Sequence, residues 1–90
     1  MNVERIKDME ERLNRTEVAV KALQSAIENF ESRKEDIAML NNYLGSDAWH
    51  SDRDDDRAGL LPDNLRRGVL SEDAIWNLLE SVRELRHTVF

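Results

Sequence analysis

The chain has no cysteine, a single proline, three glycines and only five aromatic residues among its ninety. Without cysteine there can be neither disulfides nor thiolate metal sites, and a reducing compartment is the natural setting. So few turn-forming residues argue against a sheet with many turns, and charged residues at 36% of the chain favour helices. No run approaches the roughly 18 apolar residues that a membrane span needs, and Met1 to Asp8 is charged rather than apolar, so neither a span nor a signal peptide is expected. A cytoplasmic protein is the expectation.

Excess positive charge is also missing. Acids outnumber bases nine to seven over residues 1–44, six to four over 45–70 and four to two over 71–90, a net charge of −6 spread evenly. No basic stripe is available to a phosphate backbone, so direct binding of DNA or RNA is not expected. Dispersed acidity of this kind serves solubility, although an acidic protein can also occupy a partner's nucleic-acid groove.

What is present is an apolar ladder. Ile6, Met9, Leu13, Val20, Leu23, Ile27, Phe30, Ile37 and Leu44 follow an alternating three-and-four spacing, and only Thr16, Lys34 and Asn41 interrupt it with polar side chains. This spacing places them on one face of a helix, which something must then cover. Asn2 is a suitable cap, Glu4 suits the first turn, and Gly45 after Leu44 suits a left-handed stop. The expectation is a long amphipathic helix over 1–44, either continuous or kinked within the polar run Ser32 to Asp36.

A second helix is expected over 71–90. Ser71 caps it, Glu72 and Asp73 fill its first turn, and Ile75, Leu78, Leu79, Val82, Leu85 and Val89 form its inner face, flanked by Trp76 and Phe90. So many large apolar side chains exceed what one neighbouring helix covers, which makes this the central helix or gives it a flank for a partner. Between the two, 45–70 reads as an ordered connector of short turns. One begins at Ser46, Asp47 and Ala48 and aims Trp49 inward; another begins at Pro62, Asp63 and Asn64 and ends at Gly68. The fold class is therefore all-α: a single domain in which a long first helix packs against the last in a helical bundle.

Length adds a constraint. A straight helix over 1–44 would run roughly 64–66 Å and the last helix about 30 Å. The shorter cannot cover the longer, so either the first helix folds back on itself or a second copy completes an antiparallel bundle. A homodimer is expected.

The residues Tyr43, Leu44, Gly45, Ser46 and Trp49, the run Ala58 to Pro62, the block Leu65 to Ile75, and Arg83, Glu84 and Leu85 together resemble a family catalogued as domain of unknown function 4298. Arg67 to Ile75 is the most specific part, while the first half is similar in amphipathic character only. The resemblance implies a small, helical, cytoplasmic bacterial protein and supplies no catalytic or ligand-binding residues.

Chemistry-bearing patterns are sparse. Asp52, Asp54 and Asp56 alternate, with Asp63 at the twelfth place of a calcium-type loop. Arg57, however, holds the place where the sharp turn needs glycine, and a solvated acidic turn balanced by Arg53 and Arg57 is the reading preferred. His50 and His87 lack a second histidine at ligand spacing. The six serines, Ser25, Ser32, Ser46, Ser51, Ser71 and Ser81, lack a glycine-framed elbow, and no enzyme is expected. Trp49, Tyr43 and Trp76, with Arg66 and Arg67, could line a pocket for a small anion, but core aromatics and surface arginines are the commoner arrangement.

These readings converge on a non-enzymatic helical protein-interaction module without cofactor or metal. It would act on itself or on another protein through Trp76, Leu79, Phe90, Ile6, Met9 and Leu13. The alternative is a small acidic inhibitor presenting Asp52, Asp54, Asp55 and Asp56 to a nucleic-acid-binding or defence protein. A third reading is a metal or small-ligand binder built on 45–70.

Overall fold

The computed structural model describes residues 1–89, and for Val89 the backbone alone. Four α-helices and one short 3-10 turn follow in order: α1 (Val3–Glu31), α2 (Lys34–Tyr43), α3 (Asp47–Arg57), the 3-10 turn (Gly68–Leu70) and α4 (Glu72–Val89). The fold is all-α, with no strand among the described residues. Two compact units divide the chain, Met1–Lys34 and Glu35–Phe90, and each is described by itself.

The first unit is α1, 29 residues long. The Asn2 side chain accepts from the Arg5 amide at 3.0 Å, and Glu4 stands in the first turn where the helix dipole favours an acid. Along its outer side Arg12 pairs with Asp8 at 3.1 Å. The helix stops at Glu31, at the start of the polar run, and α2 begins at Lys34. Hydrogen bonding explains the interruption. The Ser32 hydroxyl donates to the Asn29 carbonyl at 2.6 Å, the acceptor that the Arg33 amide would use in a continued helix. The Arg33 amide turns instead to Phe30, one residue nearer, at 3.0 Å. The first expected helix is thus interrupted rather than continuous.

In the second unit α2 ends at Tyr43, and Gly45 follows with φ of 77°. This left-handed conformation suits a residue without Cβ. Ser46 then joins two elements: its hydroxyl donates to the Tyr43 carbonyl at 2.7 Å and accepts from the Trp49 amide at 3.1 Å, capping α3. The segment read as a short turn and an acidic loop is in fact a helix of 11 residues. It closes at Gly59, φ 72°, where the amides of Gly59 and Leu60 donate back to the carbonyls of Asp56 and Asp55, each at 3.0 Å.

A turn follows at Pro62, whose carbonyl accepts from the Leu65 amide at 3.1 Å. Gly68 opens the 3-10 turn instead of closing the preceding one. Ser71 starts α4, its hydroxyl 3.4 Å from the Ala74 amide. Both α3 and α4 contact the 3-10 turn.

The buried apolar side chains are Trp49 on α3 and Ile75, Leu79 and Val82 on α4. On α4 the three buried positions share one face. Leu78 and Leu85, seven residues apart, lie on one flank of it and Trp76 on the other, and all three are about half exposed. No helix among the described residues is long and apolar enough to cross a membrane.

Candidate functional site

Two surfaces have the character of a site: the apolar face of α1, and a cleft beside α3 in the second unit. On α1 every large ladder residue up to Leu23 is exposed, Ile6 at 59%, Met9 at 55%, Leu13 at 53%, Val20 at 49% and Leu23 at 58%. Ile27 and Phe30 are half-buried. Their alignment is dictated by the repeat, since side chains three and four apart stack on one side of a helix. A lone helix has no interior in which to bury them.

Burying one such side chain completely stabilises by about 1.5–3 kcal/mol. Five residues that remain half exposed therefore forgo about 5 kcal/mol together, comparable with the stability of a whole small domain.

The cleft, about 320 Å³, is lined by Tyr43, Asp52, Leu61, Leu65, Arg66, Val69 and Leu70. The Tyr43 hydroxyl donates to the Asp52 carboxylate at 2.6 Å. This bond, with some desolvation and the adjacent negative charge, pushes the Tyr43 phenol up to about 12. Chemically the pair is an anchor: a phenol so hard to ionise is a poor base near neutral pH.

Trp49 stands next to this cleft in sequence but serves the interior. It is 2% exposed, and its indole N–H donates to the Val69 carbonyl at 2.9 Å. Buried indoles need such a partner. The Arg53 guanidinium lies 4.9 Å from the Trp49 ring centre, and the His50 ring meets it edge-on at 5.0 Å. Arg67 braces the segment after α3, pairing with Asp56 at 3.1 Å and donating to the Pro62 carbonyl at 2.7 Å. Its Nε is buried without a hydrogen-bond partner.

Of the residues singled out for an interface, Ile6, Met9 and Leu13 lie exposed on α1, and Trp76 is 52% exposed on α4 with the Arg83 guanidinium 5.7 Å from its ring centre. Leu79 is 6% exposed and faces inward with Ile75 and Val82. Phe90 lies outside the described residues. Tyr43, Trp49 and Trp76 do not gather into one pocket: Tyr43 lines the cleft, Trp49 is buried and Trp76 stands on a flank of α4. Arg66 lines the cleft as well, while Arg67 is committed to Asp56 and Pro62.

The alternating aspartates belong to helical α3 and do not follow the path of a calcium loop. Two of them are engaged, Asp52 with Tyr43 and Asp56 with Arg67. Sequence reasoning missed both pairings. They link residues nine and eleven apart across a helix start and a turn, and no local spacing signals such a link.

The chain belongs to the family described as Domain of unknown function (DUF4298), whose profile matches residues 6–89. No curated protein and no solved structure matches it significantly.

Proposed function

We propose that this chain is a non-enzymatic helical interaction module that self-associates through the apolar face of α1. The observation carrying this reading is the half-exposed ladder Ile6, Met9, Leu13, Val20 and Leu23 on a single 29-residue helix. Contiguous apolar stripes of that length are interaction surfaces in water, and a second identical stripe is always present at the concentration of the chain itself. The half-exposed Trp76, Leu78 and Leu85 offer a smaller surface of the same kind.

The absence of cysteine suits a reducing cytoplasm, and the resemblance over Tyr43 to Leu85 favours a bacterial one. The Tyr43 phenol, held protonated near neutral pH by its bond to Asp52, gives no support to catalysis. An acidic inhibitor acting through α3 is less well supported, because two of its four clustered carboxylates are already engaged within the chain.

Light scattering on the full chain tests the reading. The chain is expected to be dimeric at micromolar concentration, and Leu13→Lys with Leu23→Lys to be monomeric with α2 to α4 still folded. A wild-type chain that is monomeric at that concentration would overturn the reading.

A further inference from the structure

We infer that two copies of this chain pair through α1 as a parallel, in-register coiled coil, a deduction that rests on the self-association reading above. The ladder is a heptad repeat running the length of α1. Ile6, Leu13, Val20 and Ile27 hold its first core position; Met9, Thr16, Leu23 and Phe30 hold its second. Four consecutive heptads meet the length at which such a repeat specifies a coiled coil. Branching at Cβ in three of the four first positions, with Met and Leu among the second, suits two strands.

Orientation follows from the flanks. The side preceding the first core position carries Arg5, Arg12, Ala19 and Ala26, with no acid; the side following the second carries Glu10, Glu17, Gln24 and Glu31, with no base. In a parallel pair these opposite flanks meet, each residue facing the one five places further along the other copy. Arg5 then faces Glu10 of the partner copy and Arg12 faces Glu17 of the partner copy, and two-fold symmetry doubles both pairs. An antiparallel pair sets each flank against its own kind and brings acids toward acids. Length alone suggested an antiparallel bundle, but the sign of the charges selects the parallel one.

Two details fit this arrangement. The Arg12 guanidinium pairs with half-exposed Asp8 on its own helix, a contact it can exchange cheaply. Thr16, the polar residue within the seam, already donates its hydroxyl to the Arg12 carbonyl at 2.7 Å, so enclosing it orphans no donor.

The test is sedimentation equilibrium on the full chain. Arg5→Glu with Arg12→Glu makes both flanks acidic and is expected to raise the dissociation constant at least about tenfold at low salt, a gap that narrows at high salt. Mixing that variant with Glu10→Arg/Glu17→Arg is expected to restore a heterodimer, which a misfolded variant could not form.

Since the chain has no cysteine, Met9→Cys reports direction. Parallel in-register copies bring the two introduced thiols within disulfide reach, and mild oxidation gives a covalent dimer. A symmetric antiparallel pair holds them about 20 Å or more apart, beyond bridging. In a wild type that dimerises, unchanged affinity in the charge variant, failure of the mixture to associate, or absence of the covalent dimer overturns the parallel pairing and leaves self-association standing. A monomeric wild type overturns both.

Discussion

Tyr43 shows how one side chain ties a helix end to the next helix. Its hydroxyl can donate to Asp52 only while protonated, so the folded chain holds that proton more tightly than the unfolded chain does. The phenol's ordinary value is 10.0 and its folded value about 12. The stabilisation is therefore complete below pH 10 and lost as pH rises through about 12. Urea midpoints across this window should fall in the wild type and much less in Tyr43→Phe, which itself should cost about 1 kcal/mol at neutral pH. Equal falls in both would show that another group controls the alkaline transition. Trp49 was legible from the sequence as inward-pointing, because it is the only large apolar residue between Leu44 and Leu60. Its partner Val69, twenty residues on, was not, since no spacing rule reaches across a turn.

At the scale of elements, the legible helix ends were marked by cap residues, among them Gly45 as the left-handed stop after α2. Asn2 opens α1 and Ser71 stands before α4, as their residue types suggest. Helix α3 was not legible because its interior offers six charged residues, Asp52 to Arg57, and one large apolar side chain. Its ends hold it instead. Ser46 and Asp47 serve the start, Arg57 stands in the last turn, and Gly59 closes it. A Cβ at Gly59 would meet no atom within 4 Å, so Gly59→Ala isolates the cost of the left-handed backbone. That cost is about 1–2 kcal/mol and should appear as a lower denaturant midpoint with an unchanged slope. An unaltered midpoint would mean that α3 does not depend on this closure. The polar run Ser32 to Asp36 leaves a continuous helix and a kinked one equally open; the break and its position follow from the Ser32 hydroxyl taking the Asn29 carbonyl.

For the whole molecule the decisive quantity is apolar surface on α1. The ladder was fully legible, since a helical repeat needs no knowledge of tertiary structure; what covers it was not, because sequence periodicity describes one helix at a time. A long helix with so little burial has weakly protected amides when alone and strongly protected ones when paired. Pairing follows mass action, so protection must rise with protein concentration. Hydrogen exchange of the α1 amides from Ile6 to Ile27, followed across a dilution series, measures this directly. The account predicts slow exchange at high concentration that accelerates on dilution, while amides around Trp49 stay unchanged. Exchange in α1 that is independent of concentration would contradict it.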